Sequence, residues 1–416
     1  MDETQPTTAD PSKRRALGVV FLIVVVDLLG FGVLLPLLGQ YAKRLQASDL
    51  EIGLLSASFS FFQFLFSPLW GRLSDRVGRR PVLMGGLVAS ATFYLLFAYA
   101  AWKESIVWMF VSRIGAGTAG ATIATAQAYV ADCTTKAERT RSMALIGMAF
   151  GLGFVIGPIL GIGAFFAFTP TQTPDTIAPI SAIPGLLAAA LSTIALALAI
   201  AYLPESLNRS DEPREADARF DAGAWRMVFS QPMLPWIVGA FFISTVGFTQ
   251  FEGTLSLVLY VAFDMQEKQT FGVFLYFGLM FALAQGFLVR RLARRVPDET
   301  LAQVGALLIF VGMSLGMGAH WLRSFWMLMA VMPVAVCGFA MTTPTLQSMV
   351  SKRAPADRQG AALGVNQSAS ALGRVIGMAM GPVLLGVHFS LPYLSTAALM
   401  VLVIAALRWK VAKTSG

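Results

Sequence analysis

Apolar runs of bilayer-spanning length recur along the whole chain, and no other feature restricts its possible folds as severely. A helix needs about 20 apolar residues to cross the hydrocarbon layer, and only helices or closed barrels satisfy every backbone polar group there. Twelve such runs can be marked, at roughly 17–39, 50–70, 81–101, 106–131, 141–166, 180–203, 233–261, 270–289, 301–319, 324–349, 360–386 and 390–409. A barrel would instead show short segments of alternating polarity. Only 13% of the residues are charged, about half the share typical of a soluble domain. The expected fold is therefore an all-α membrane protein of twelve transmembrane helices.

The basic residues test that count. With the N-terminus inside, 24 of the 31 Lys and Arg fall in cytoplasmic segments, and the outer loops hold only Lys43, Arg44, Lys103, Lys268 and Arg323. The remaining two, Arg113 and Arg374, lie inside runs. Cytoplasmic loops carry such an excess, so both termini are placed in the cytoplasm. The net charge of +8 then reports topology and not a nucleic-acid partner. The first run follows Lys13-Arg14-Arg15 without a small-residue cleavage site, and is expected to be an uncleaved helix. Cys133 and Cys337 stand far apart, and His320 and His388 are the only histidines, so no metal, haem or other cofactor is expected.

A polar, mixed-charge stretch, Asp211 to Asp221, divides the chain. The expected organisation is a tail at 1–16, a six-helix bundle at 17–203, a cytoplasmic linker at 204–232, a second bundle at 233–409 and a tail at 410–416. The bundles repeat. Gly153, Gly157 and Gly161 in the fifth run match Gly373, Gly377 and Gly381 in the eleventh, at an offset of 220. Small residues four apart let helix backbones approach closely. They suggest either plain packing or a hinge between the halves, with Pro158 and Pro382 bending the two helices. Parallel repeats of this kind place a substrate site near the midplane between the halves.

Residues 71–83, Gly-Arg-Leu-Ser-Asp-Arg-Val-Gly-Arg-Arg-Pro-Val-Leu, hold five charges. This block is expected as a short, tightly turned cytoplasmic loop, with Gly71 and Gly78 turning the chain at the two helix ends. Asp75 can pair with an arginine or cap a neighbouring helix. Arg76, Arg79 and Arg80 face the anionic leaflet and nearby carboxylates, of which Asp132 is a candidate. Ion pairs that form in one conformation and break in another would gate the cytoplasmic side. The plainer alternative is that the arginines only set topology. At an offset of 219 the block falls on Arg290 to Glu299, where Arg294 replaces Asp75 and the motif is lost.

Ionisable residues inside spans are costly and mark function by default. Asp27 lies in the first run, Glu252 in the seventh, Arg113 in the fourth and Arg374 in the eleventh. A carboxylate in low dielectric holds its proton more tightly, and a nearby arginine opposes that. The first and seventh runs occupy equivalent places, so Asp27 and Glu252 are expected to face one central cavity and exchange protons there. A structural salt bridge with an arginine is the alternative. Gln63, Gln127, Gln250, Gln285, Gln347, Asn366 and Gln367 are expected to face the interior for the same energetic reason.

The pattern Gly-x-Leu-x-Asp-Arg-x-Gly-Arg-Arg of the charged block, Arg113-Ile-Gly-Ala-Gly117 and Gly147 to Gly161, ending Gly157-Pro158-x-x-Gly161, resembles the drug/proton antiporter branch of the major facilitator superfamily. The Asp27 helix, residues 74–83 and residues 150–158 are similar to tetracycline efflux antiporters. Two departures stand out: those antiporters carry further acids in helices 3 and 9, where this chain has Ala91 to Tyr94 and Ile309 to Gly312. Glu252, Gln285-Gly286, Pro344-x-Leu-x-Ser348 and Ser370-x-x-Gly-Arg374 resemble instead the tetracycline-transporter-like organic-ion carriers of animals. The resemblance implies two pseudo-symmetric six-helix bundles and proton-driven export of small amphipathic molecules; the lack of a long glycosylated loop or targeting tail suggests a bacterial inner membrane. Its expected partners are a small organic substrate, protons and lipid, with the protein a monomer. A symporter or uniporter for an organic anion, lipid or metabolite remains open, as does a receptor or scaffold on the same fold. An enzyme is not expected, because no nucleophile, metal cluster or nucleotide loop is present.

Overall fold

The structure, a computed structural model, describes residues 11–121, 123–134, 136–168, 180–206, 222–293, 295–321, 324–355 and 358–414. Fifteen α-helices follow one another, all but two of them long or paired into a crossing. The first half holds α1 (Pro11–Arg44), α2 (Asp49–Val77), α3 (Arg79–Trp102), α4 (Ile106–Gly120), α5 (Ile123–Asp132), α6 (Lys136–Phe168) and α7 (Ile183–Tyr202). The second holds α8 (Ala222–Ser230), α9 (Leu234–Phe263), α10 (Glu267–Leu283), α11 (Arg290–Leu292), α12 (Asp298–Trp321), α13 (Phe325–Arg353), α14 (Gln359–Val387) and α15 (Leu391–Thr414). Among the described residues, eleven segments are long and apolar enough to span a bilayer, and α6 adds the shorter apolar stretch Val155–Phe168. The twelve expected runs are met by these elements.

Three local features depart from a simple reading of the runs. The charged block is not a loop. Helix continues to Val77 and resumes at Arg79, so Gly78 alone makes the turn, with φ +111°. Gly71, expected to turn the chain, lies inside α2. Charges at the foot of a helix project into water and do not stop it, whereas a positive φ does. The fourth run holds α4, which ends at Gly120 after a stretch rich in glycine, and α5, which begins at Ile123. The eighth run ends in a π-helical turn, Ala284–Val289; such turns are rare and cluster at functional positions. Within the expected linker, Ala222–Ser230 is helical and packs Met227 and Val228 into the second half's core. Residues 207–221, and Arg294 of the second copy of the block, lie outside the described residues.

The two halves repeat as packings and not only as sequences. In the first half α1 packs on α6 and α7, and α3 on α4 and α7. In the second, α9 packs on α14 and α15, and α12 on α13 and α15. One apolar core runs from Ala224 to Leu407 within the second half, and another from Ala16 to Leu203 within the first. A third core, centred on α1 to α4, admits Leu257 and Phe271 from the second half. The halves meet through α2 against α14, α6 against α10, and α1 against α9.

Those contacts lie toward the ends that turn at residues 45–48 and 264–266, the outer end by the charge count. There Gln40 of α1 donates to the carbonyls of Ser256 and Met265, both at 3.3 Å, and to the Thr270 hydroxyl at 2.5 Å. Arg44 pairs with Glu267 at 2.6 Å. Phe165 of α6 packs against Phe271 of α10, with ring centroids 5.9 Å apart. The polar contacts of this outer seal join residues more than 200 positions apart in the chain.

Candidate functional site

The interhelical glycines set the frame. A Cβ on Gly153 would lie 2.9 Å from the Leu28 carbonyl oxygen, and one on Gly157 2.7 Å from the carbonyl carbon of Gly32. Equivalent glycines of α14 press on α9: Gly373 on the Phe242 carbonyl, Gly377 on that of Val246, Gly381 on that of Gln250. The expectation of a hinge between halves is therefore corrected for these five residues. They lock each half internally, because a backbone without Cβ atoms lets α6 and α14 close on the central helix of their own bundle. Of the six repeat glycines, Gly161 is the one that reaches across, under the Phe271 ring. Pro158 and Pro382 lie inside continuous helices.

This packing also fixes relative depth. Leu28 and Gly32 of α1 match Phe242 and Val246 of α9, an offset of 214. Glu252 then stands about eleven residues beyond the position equivalent to Asp27, roughly 16 Å along the helix axis. The two acids occupy equivalent helices at different levels. Glu252 sits one turn below Ser256 of the outer seal, and Asp27 lies far closer to the cytoplasmic end.

They also face different neighbours. Asp27 points into its own bundle, where Ser192 of α7 donates to its Oδ1 at 2.9 Å and Ser90 of α3 also hydrogen-bonds it. Tyr94 of α3, packed against Gly30, lies close to both Asp27 and Arg113. Arg113 is 2% exposed and forms no hydrogen bond or ion pair among the described residues; its Nε is buried without a partner. Its guanidinium lies 4.7 Å from the Phe59 ring centre and 5.9 Å from that of Phe31. These distances are in the range of cation–π attraction. Phe31 packs in turn on the small cluster of Leu35, Ala57 and Met378, at the junction of the halves.

Glu252 is buried, and its Oε1 has no partner. Arg374 of α14 is its nearest opposite charge but makes no ion pair within 4 Å; the guanidinium takes Ser370 as acceptor at 3.2 Å. Asn366, two turns earlier on α14, is 1% exposed with its Oδ1 unpartnered. The structure therefore brings Glu252 and Arg374 together, and groups Arg113 with Tyr94 and Asp27. It does not place Asp27 beside Glu252; the two acids have separate surroundings.

The polar candidates divide. Gln250 is fully buried, but it ties α9 to α15 through the Pro392 carbonyl at 2.9 Å and the Ser395 hydroxyl at 2.5 Å. Two residues along a helix is about 200°, so Gln250 and Glu252 serve opposite faces. Gln63 donates to the Gly120 carbonyl at 3.1 Å, beside the break between α4 and α5. Gln127 is half-buried. Gln285, Gln347 and Gln367 are exposed. Helical period gives a face only relative to neighbouring residues, not which face the bundle covers.

At the cytoplasmic end, Arg79 pairs with Asp132 at 3.1 Å and with Asp75 at 2.6 Å, and donates to the Ser74 hydroxyl. Glu205, absent from the sequence reading, accepts from the backbone N–H groups of Arg79 and Arg80 at 2.9 and 3.1 Å. It thereby caps α3, where the helix dipole favours an anion. A Cβ on Gly78 would lie 2.5 Å from the Glu205 carboxylate. Arg80 donates to the Ile200 carbonyl at 2.9 Å, and Arg76 is exposed. All these partners belong to the first half.

A family model described as "Major Facilitator Superfamily" matches residues 20–378. The class E tetracycline resistance protein of Escherichia coli is 30% identical over 377 residues, covering 88% of this chain and 86% of its own. Multidrug resistance protein 2 of Bacillus subtilis is 26% identical over 400 residues, or 94% of each chain. The crystal structure of the human organic anion transporter MFSD10 superposes with a TM-score of 0.69 at 26% identity, covering 96% of this chain and all of that one. Both groups resembled by the sequence motifs are thus met among the relatives. This multi-pass membrane protein belongs to the Major Facilitator Superfamily, a family of secondary transporters and not of enzymes.

Proposed function

We propose that the protein is a proton-coupled exporter of small amphipathic organic molecules, working by alternating access. One observation carries the reading: each half encloses one carboxylate within its helices, Asp27 among serine hydroxyls and Glu252 with an oxygen left without a partner. An intramembrane acid of this kind is expensive and is retained where a proton or cargo must be handled. Opening the outer seal would wet Glu252 first, one turn beneath it. Opening the cytoplasmic end would reach Asp27. Inward proton movement is favoured by about 2.3 kcal/mol per charge for each 100 mV. Gly71, Asp75, Arg76, Gly78, Arg79, Arg80 and Asp132 would form the cytoplasmic gate. A bacterial inner membrane is the location this reading implies, and the bacterial resistance proteins among the relatives support it.

A specific observation favours a second reading of the cargo. Arg113 is a buried cation between two aromatic rings, with no carboxylate partner among the described residues. That chemistry suits a flat organic anion, as does the similarity to the human organic anion transporter. The test is transport in proteoliposomes under an imposed pH gradient, with tetracycline, a lipophilic fluorescent cation and a fluorescent aromatic carboxylate as probes. Export of at least one probe must follow the sign of the gradient. Asp27→Asn and Glu252→Gln must each remove that dependence; retention of it in both variants would refute proton coupling.

A further inference from the structure

The two halves carry the same cytoplasmic ion-pair arrangement with its charges exchanged. At the repeat offset of 220, Arg79 falls on Glu299 and Asp132 on Lys352. In the first half a cation at the start of α3 holds an anion at the end of α5, Arg79 to Asp132 at 3.1 Å. In the second, anions at the start of α12 hold cations at the end of α13: Asp298 to Lys352 at 2.7 Å, and Glu299 to Arg353. Ser348 also donates to Asp298 at 2.9 Å. A plain duplication would have kept the polarity.

The packing says where these ends point. The interface is two-fold: α2 against α14 and α10 against α6 are one contact made twice, because the repeat relates α2 to α10 and α6 to α14. The α5 helix touches α2 and α6. Its counterpart α13 touches α14 and α10. Helices flanked by the two interfacial pairs face each other across the cleft, so the cytoplasmic ends of α5 and α13 are opposed. Without the exchange, like charges would confront each other there; with it, Asp132 confronts Lys352 and Arg353.

We infer that closure of the cytoplasmic end is latched by Asp132 of α5 against Lys352 and Arg353 of α13, in competition with the pairs each makes inside its own half. Lys352 is the member free to swing, with its side chain 68% exposed, while Arg79 is held at 9%. In the outer-sealed state described here the within-half pairs are made. When the halves rock, Lys352 leaves Asp298 for Asp132. The latch requires only that rocking and is independent of proton coupling and of the cargo.

The experiment needs no substrate. In a background carrying Cys133→Ser and Cys337→Ser, nitroxide labels at Val77→Cys on α2 and Ala361→Cys on α14 report cytoplasmic closure by pulsed electron paramagnetic resonance distances. Asp132→Lys is expected to reduce the closed population severalfold, and so is Lys352→Asp combined with Arg353→Asp. Joining the three substitutions is expected to restore most of it. Rescue of Asp132→Lys by Arg79→Asp alone, with no rescue from α13, would show that Asp132 acts only within its half and would overturn the latch. A cysteine pair at positions 132 and 352 gives an independent reading that needs no charge reversal. A disulfide forming in membranes at a rate that follows the closed population supports the latch. No disulfide under conditions that cross-link Val77→Cys to Ala361→Cys would overturn it.

Discussion

The intramembrane acid of the first half and that of the second are housed in opposite ways. Asp27 accepts from hydroxyls on two helices of its own bundle, and the arginine of that half turns to aromatic rings instead. Glu252 lies near Arg374, which prefers a serine, and one of its oxygens is left without a donor. Yet the backbones around them are copies, with α6 on α1 and α14 on α9 joined by glycines in the same register. Duplication preserved the scaffold, and the polar side chains diverged upon it. Close backbone packing tolerates no added atoms, whereas a side chain in a cleft can be exchanged without disturbing the frame.

The sharpest way to break this comparison is to neutralise each acid. Asp27→Asn and Glu252→Gln are each expected to cut gradient-driven flux by about a hundredfold, as intramembrane carboxylates handling protons should, measured as initial rates in proteoliposomes. A large loss from one and none from the other would leave a single proton station. The copied scaffold predicts a matched effect next. Gly157→Leu and Gly377→Leu should each destabilise the fold by about 3 kcal/mol through overpacking against α1 or α9, read as a fall in Tm of the purified protein in detergent. A strongly unequal pair of shifts would deny the equivalence of the two contacts.

Smaller changes sharpen the difference between the sites. Gly78→Ala forces a side chain into a left-handed conformation and toward Glu205; a loss of about 1–2 kcal/mol is expected, again in thermal unfolding. Ser192→Ala removes one donor to Asp27, and a loss of about 1 kcal/mol is expected. Gln347→Ala, at an exposed position, should change stability by less than about 0.5 kcal/mol. A larger loss there would reveal a stabilising contact at that side chain.

The reach of the sequence follows from what each signal measures. Hydropathy and the placement of basic residues report solvent and side of the membrane, so the twelve runs and their orientation were legible. The pairing of Arg79 with Asp132 was also within reach, since both flank predicted helix ends. Glu205 was not, because the N–H groups it caps are about 125 residues away in the chain. Nor were Tyr94, Ser90 and Ser192, each an ordinary residue in an apolar run that matters only through the side chain opposite. Periodicity relates residues on one helix, and rotation of that helix in the bundle is set by its neighbours.

The outer seal has a consequence for timing. Its polar part consists of a few directional contacts, the three donations from Gln40 and the pair of Arg44 with Glu267. Such contacts lose their strength steeply with misalignment, and packed interfaces switch between discrete arrangements instead of deforming continuously. The outer mouth is therefore built to let go all at once. Molecules would dwell in the sealed state and cross quickly, so that single-molecule records of the outer end should show long plateaus joined by abrupt steps, with few intermediate widths.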